Sequence, residues 1–381
     1  MIGPASLALL LLLGAAGGGL PQELSVRVLG RFHPSSVRIS RPGEAHVAVV
    51  SSEGLWVDGR PAAAGRSFPA ARWRVEADGG PPRSYVGAVT VWRDGGEVAV
   101  VVRLPLEEYV ASVVAAETEP GTPLEALKAL AVVARSYSVT ARGRHEGADL
   151  CDLAHCQVMG PSGAGAHRAS AAAAARGTAG QVLRVEDGSV AAAPFHAACG
   201  GHTADPVEVF GGDGTGAAAV PDPGCAPVPW QVEVGEQVLA RVAGRELAQG
   251  KAPASPVPVE SLRFLRGQGG YVIQVVGAGS AVGGEAFTRA LDRALGHGRV
   301  RSARFEARRS GGAVQITGSG IGHGVGLCQS GGARRAADGQ GYKRILGHFF
   351  PRARLDPPSV RSDPAGQPAP RWAPLSKTSS R

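Results

Sequence analysis

Aromatic residues and long apolar segments are both scarce in this sequence. Phe, Trp and Tyr together make up 5% of the 381 residues, and the basic residues behind the net charge of +8 are scattered along the chain. Nucleic-acid-binding surfaces combine clustered basic residues with aromatic side chains, so the composition disfavours a nucleic-acid partner. After the N-terminal segment there is no uninterrupted run of roughly 18 apolar residues, so we expect no transmembrane helix in the mature chain.

The N-terminal segment contains no Lys or Arg, but it carries an apolar run, Leu7–Leu13, followed by small residues. This pattern is typical of a secretory signal peptide, here residues 1–20, and the run is too short to span a bilayer. A buried N-terminal strand or an uncleaved anchor is the alternative. We therefore expect an exported protein of the periplasm or cell wall, whose basic surface meets an acidic polymer.

The hydrophobic pattern changes several times along the chain. Short alternating runs between Gly, Pro and Asp-Gly signals predict a β-rich N-terminal unit over residues 24–102. Helical periodicity then predicts two helices, about 106–117 and 123–142. A mixed α/β insertion or second lobe is expected over 230–312, and a disordered tail over 356–381, which is rich in Pro, Ser and Arg. The predicted fold class is α+β.

Glu117 ends an apolar helical segment and shares its apolar side with residues such as Val113 and Val114. Burial and the negative end of the helix dipole both raise the pKa of a carboxyl group in this position. A raised pKa suits a general acid, which must still hold a proton near neutral pH. The alternative is a structural Glu117 that is buried and paired with Arg135.

The five cysteines are an odd number, so at least one is unpaired unless chains are joined. Within twelve residues the chain offers four metal-ligating side chains, at His145, Cys151, His155 and Cys156. Thiolate and imidazole are zinc ligands, and a loop of this length wraps around one tetrahedral ion. We favour zinc here over a Cys151–Cys156 disulfide, which an oxidising compartment would also permit.

Two further cysteines, Cys199 and Cys225, are interpreted as a disulfide pair, with free buried thiols as the alternative. A glycine-rich stretch, residues 318–339, surrounds His323 with residues that allow close backbone approach. It lacks the βαβ context of a dinucleotide site and the Gly-Lys-Ser/Thr of a phosphate loop. His323 is therefore expected to line a groove, or else to bond the backbone in a turn.

Several of these segments, in this order, resemble one known family. They are RLPLEEYVASVVAAE, PLEALKALAVVARSY, CDLAHCQV, FHAACGG and GHGVGLCQSGGA. Together they resemble the SpoIID/LytB (stage II sporulation protein D) family over residues 103–355. The resemblance implies a two-lobed α+β catalytic domain with a groove between the lobes. It also implies peptidoglycan lytic transglycosylase activity, although other members enhance wall amidases.

The resemblance assigns roles to individual residues. Glu117 takes the position of the catalytic glutamate, although Thr118 and Glu119 depart from the Glu-Met-Pro of many relatives. The implied zinc ligands are His145, Cys151 and Cys156, with His155 as a fourth candidate. Cys199 begins the segment that corresponds to the family's Ser-Gly-Gly motif, and Cys328 stands where many relatives carry Ser. The residues expected to bind substrate are His323, Gln329, Gly322, Gly324, Arg135 and Tyr137.

The implied reaction needs one good acid. Glu117 would protonate the oxygen that leaves C1 of muramic acid, and the 6-hydroxyl of the same sugar would attack that carbon, giving a 1,6-anhydro end. Because the substrate supplies the nucleophile, the lack of an obvious second carboxylate is no objection. The rival interpretation is a non-catalytic wall-binding module that stimulates an amidase. A zinc hydrolase is disfavoured, since four protein ligands leave no position for water.

Overall fold

The computed structural model describes residues 20–212, 214–248 and 255–356. The predicted signal peptide and C-terminal tail therefore lie outside the described residues, apart from one residue of each. The described chain combines α-helices with several β-sheets, which confirms the α+β class. None of its helices is both long and apolar enough to cross a membrane.

The N-terminal part forms one large sheet. Its strands are β1 Glu23–Val28, β2 Ser36–Arg41, β3 Glu44–Ser51, β4 Gly54–Val57, β5 Arg60–Pro61, β6 Arg66–Ala77, β7 Arg83–Asp94, β8 Glu97–Pro105 and β9 Leu150–Cys151. They lie in the order β5-β4-β3-β2-β6-β7-β8-β1-β9. Alternate residues of β7 are buried, as expected for a sheet with one face on a core. Strand β9 pairs in parallel with β1 at one edge of the sheet, so the loop with the predicted metal ligands lies at that edge.

Helices cover this sheet and share its core. They are α1 Leu106–Glu117, α2 Leu124–Thr140, α3 Ala166–Gly177 and the five-residue α4 Pro206–Phe210. The first two agree with the helical periodicity of the sequence. Helix α1 follows β8 without a loop, so the sheet edge fixes where the helix starts. Its apolar side, including Val110, Val113 and Val114, is fully buried, which leaves Glu117 at the last turn.

A second hydrophobic core lies within residues 229–319. Its elements are β12 Pro229–Gly235, α5 Glu236–Leu247, β13 Arg263–Arg266, β14 Val272–Gly277, β15 Ser280–Gly283, α6 Gly284–Leu295, β16 Phe305–Ser310 and β17 Ala313–Ser319. This part is joined to the first core by side-chain contacts with the loop that begins at Cys199. The Tyr271 hydroxyl donates to Cys199 O (3.3 Å), and Arg304 Nη1 donates to Gly200 O (2.6 Å).

The C-terminal segment returns to the first core. Two short pairs connect it: β10 Leu183–Arg184 with β19 Arg354–Leu355, and β11 Phe195–His196 with β18 Leu327–Cys328. Helices α7 Gln329–Ala337 and α8 Tyr342–Phe349 complete the order. Because α7 packs against α2, the glycine-rich stretch that precedes it comes close to the end of α1.

Candidate functional site around Glu117

Glu117 is a half-buried carboxyl at the C-terminal end of α1. Its Oε1 atom accepts a hydrogen bond from the Val158 backbone N–H (2.8 Å). Burial raises the pKa of Glu117, because desolvation disfavours the anion, and the Val158 bond opposes this effect only in part. The side chain is thus suited to hold a proton at a pH where an exposed glutamate has lost it.

Arg135 is not the partner of Glu117. Its guanidinium is fully buried and forms an ion pair with Glu107 (Nη2 to Oε2, 2.6 Å). The same group donates to the backbone oxygens of Gln181 (3.0 Å) and Ala175 (3.2 Å). The interpretation of Glu117 as a structural partner of Arg135 is therefore wrong. Because the Arg135 guanidinium has no solvent exposure, its contacts give no support to the predicted role in substrate binding, which remains a prediction.

Backbone atoms near Glu117 are held from two other parts of the chain. Gln329 Nε2 donates to Glu117 O (3.0 Å), which brings one predicted substrate-binding residue to the catalytic candidate. His167 Nε2 donates to Thr118 O (2.9 Å). Sequence reasoning missed His167, because it lies 49 residues along the chain at the start of α3, and no local pattern indicates the contact.

The four predicted metal ligands come together. One ligand atom from each of His145, Cys151, His155 and Cys156 lies within 4.8 Å of the others. His145 Nε2 is 3.1 Å from Cys156 Sγ, and His155 Nε2 is 3.2 Å from Cys151 Sγ. Both cysteines are free thiols, so the alternative disulfide is absent from this structure. Two imidazoles and two thiols in this arrangement suit a closed tetrahedral zinc site, with His155 included.

Tyr137 lies beside this cluster. Its hydroxyl donates to His155 O (3.4 Å) and accepts a hydrogen bond from Arg144. On the described contacts it belongs to the surroundings of the four ligands, and its predicted role in substrate binding remains a prediction.

His323 sits in a tightly folded glycine-rich loop. Its Nδ1 atom accepts from the Val325 N–H (3.0 Å), and its ring centroid is 5.3 Å from that of Phe210 and 5.7 Å from that of His196. Burial lowers the pKa of His323 to about 3, so the ring is neutral at physiological pH. Both predicted neighbours have positive φ, Gly322 at 96° and Gly324 at 80°, which accounts for glycine at each position.

A second cluster contains both cysteines of the predicted Cys199–Cys225 disulfide. Both residues are free thiols in this structure, and Cys328 and Asp222 join them, with ligand atoms within 4.8 Å of one another. The pairing remains a prediction, which considered only two of the three cysteines of this cluster. Cys328 is 129 residues from Cys199, yet its Sγ accepts from the Cys199 N–H (3.3 Å).

A cavity of about 960 Å³ lies apart from these residues. It is lined by Arg184, Val185, Glu186, Asp187, Gly214, Gly216, Pro351, Arg352, Ala353 and Arg354. None of the predicted site residues borders it, so size alone does not identify the candidate site.

Comparison with known proteins agrees with the motifs. Residues 94–184, which include Glu117 and the four predicted metal ligands, match the family model described as SpoIID, stage II sporulation protein. The chain is 28% identical over 267 residues to stage II sporulation protein D of Bacillus amyloliquefaciens, covering 66% of this chain and 74% of the relative. It is also 28% identical over 271 residues to an uncharacterised protein of Brachyspira hyodysenteriae, covering 70% of each. These matches confirm the resemblance of the chain to the SpoIID family.

Proposed function

We propose that this protein is an exported peptidoglycan lytic transglycosylase and that Glu117 is its general acid and base. Its relationship to stage II sporulation protein D supports a role connected with sporulation or the cell wall. The observation that carries the finer proposal is the half-buried Glu117 carboxyl, whose pKa burial raises, at the position implied by the family resemblance. Such a group donates a proton near neutral pH more readily than an exposed glutamate.

The reaction proceeds in two proton transfers. Glu117 first protonates the glycosidic oxygen between muramic acid C1 and the leaving glucosamine, and the C–O bond breaks. The 6-hydroxyl of the muramic acid then bonds to C1, and its proton returns to the Glu117 carboxylate. Bonds and protons balance without water, so the product has a 1,6-anhydro end and Glu117 is restored.

The neighbouring acids are committed to other contacts. Glu107 pairs with Arg135, and Glu108 Oε1 accepts from Arg168 Nη2 (2.6 Å) and Ser162 Oγ (2.9 Å). A substrate hydroxyl makes a second carboxylate unnecessary, because it replaces the enzyme nucleophile or activated water of other glycosidases. Among the acids of α1, Glu117 is thus the one without an ion pair to a described residue, which supports a transglycosylase over a hydrolase.

The glycan strand would lie in a groove between two lobes, along the end of α1 and the glycine-rich loop. Gln329 links these segments through its bond to Glu117 O. Beside His323 lies Phe210, a large apolar side chain that is 49% exposed. An exposed aromatic ring offers a face on which the apolar side of a sugar ring can pack. We assign His323, Gln329 and Phe210 to substrate binding.

Zinc would be held by His145, Cys151, His155 and Cys156 as a structural ion. When bound, it cross-links the loop after α2 and supplies no step of the reaction. Val158 follows Cys156 by two residues and donates its N–H to Glu117. The loop that these ligands fix therefore also positions the proton donor.

Mass spectrometry of purified glycan strands after incubation with the protein tests the proposal. A transglycosylase yields 1,6-anhydro muramic acid ends, and the appearance of these ends is the expected result. New reducing ends would instead identify a hydrolase and overturn the proposed chemistry. Unchanged strands, with bound protein and faster turnover by an added wall amidase, would identify a non-catalytic enhancer.

A further inference from the structure

The second cysteine cluster joins three separate parts of the chain in the protein interior. Cys199 follows β11, Asp222 and Cys225 lie in the loop before β12, and Cys328 ends β18. The ligand atoms of all four residues lie within 4.8 Å of one another. Cys199, Asp222 and Cys328 have no solvent exposure, and Cys225 is 2% exposed. The cluster is therefore a closed polar site within the first hydrophobic core.

Asp222 is poorly compensated for a fully buried carboxylate. Its side-chain oxygens have two described protein partners, Cys199 Sγ and Arg335 Nη2, each at 3.4 Å. A buried carboxylate is costly unless close donors or a cation offset its desolvation. The approach of Asp222 also depends on Gly331, because a Cβ atom there would overlap its carboxylate. The fold thus brings an acid and three thiols together at some cost.

Backbone N–H groups point at the sulfur atoms. Cys328 Sγ accepts from the N–H groups of Cys199 and Gly331, both at 3.3 Å, and Cys225 Sγ accepts from that of Gly200, also at 3.3 Å. Hydrogen bonds to sulfur favour the thiolate over the thiol, and the thiolate is the form that binds metal. Such outer contacts also fix the direction of metal ligands.

We propose that Cys199, Cys225, Cys328 and Asp222 bind a second metal ion, a divalent cation of zinc-like softness. Three thiolates and one carboxylate fill a tetrahedral site, so the ion is structural and has no open position for water. A single disulfide would use two thiols and leave the third beside Asp222, whose two partners are both at 3.4 Å. The site is separate from the His145 cluster and shares no ligand with it.

The second ion would stabilise the segment whose Gln329 side chain contacts Glu117. Cys328 directly precedes Gln329, whose side chain bonds Glu117 O. Cys199 O accepts from the hydroxyl of Tyr271, which directly precedes β14. A metal bound to Cys199 and Cys328 therefore holds the second core and the start of α7 in one arrangement.

Metal analysis of the full chain, purified without added metal or reductant, tests the second site. We expect about two equivalents of zinc-like metal per chain, one for each cluster. Cys225→Ser is expected to lose about one of them, and Cys156→Ser is expected to lose only the other. Cys328→Ser serves as a second variant, because a Ser hydroxyl is no larger than the thiol and can still accept the N–H groups of Cys199 and Gly331.

The contradicting results are equally specific. The absence of bound metal from the wild type, or a content of about one equivalent that Cys156→Ser removes, overturns the proposal whether or not the Cys225→Ser variant folds. So does a metal content that Cys225→Ser and Cys328→Ser leave unchanged. A disulfide involving Cys199, Cys225 or Cys328, found by non-reducing peptide mapping of the exported protein, also overturns it.

Discussion

Glu117 and Arg135 are two charged side chains on helices whose other residues are mainly apolar, and the structure gives them opposite roles. Arg135 is enclosed by acceptors, including Glu107 and three backbone oxygens, so its charge is fully compensated. Glu117 accepts one backbone N–H and otherwise faces a desolvated environment. Helical periodicity alone predicted that Glu117 lies on the apolar side of its helix. Periodicity could not predict that Arg135 pairs with Glu107, because these two residues lie on different helices.

The raised pKa of Glu117 predicts a pH-dependent stability difference between wild type and Glu117→Gln. Below the ordinary glutamate pKa of about 4.3 the carboxyl is protonated in both folded and unfolded chains, so Glu117 carries no ionisation penalty. As pH rises towards the higher folded pKa, the unfolded chain releases its proton first. Wild type should therefore lose stability relative to Glu117→Gln over this range, and the difference should level off above it.

Urea unfolding at a series of pH values measures this difference. The control is Glu119→Gln, which removes an exposed acid two residues away and should change stability by no more than about 0.5 kcal/mol. If wild type instead gained stability over Glu117→Gln as pH rose, the folded protein would favour the anion. Glu117 would then be unsuited to act as the acid.

The glycine-rich loop before α7 depends on close packing against the Tyr271 ring. Gly324 has φ of 80°, and a Cβ atom there would overlap the Tyr271 ring. Glycine density in the sequence predicted close backbone approach at this loop. It did not indicate that the approaching group is an aromatic ring more than fifty positions earlier in the chain.

Substitution of Gly324 should therefore cost more than its backbone conformation alone. Gly43 is a matched control, because its φ is 79° and an added Cβ would meet no atom within 4 Å. We expect Gly43→Ala to destabilise by about 1 kcal/mol, from left-handed strain. Gly324→Ala should destabilise the fold by about 1–3 kcal/mol more than Gly43→Ala does, because the added Cβ atom overpacks against Tyr271. Equal losses in urea unfolding would show that Tyr271 does not constrain the loop.

The elements of the fold that follow from local hydrophobic periodicity could be predicted from the sequence, whereas the candidate sites could be predicted only in part. Alternation predicted a β-rich N-terminal unit, and helical periodicity predicted the first two helices. The His145 cluster was also predictable, since its ligands lie within one short loop. The Cys199 cluster and the Gln329 contact with Glu117 were not, because they join residues 129 and 212 positions apart.

If Glu117 transfers the proton in glycan cleavage, the Glu117→Gln protein should form 1,6-anhydro ends far more slowly than wild type. The rate of formation of these ends is the measurement to make. Gln keeps an oxygen to accept the Val158 N–H but has no proton to transfer, so the fold should survive with stability changed by no more than about 1 kcal/mol. Cleavage should fall by at least about 100-fold, while Glu119→Gln stays near wild type. A folded Glu117→Gln protein that still cleaves at a rate close to wild type would contradict the account.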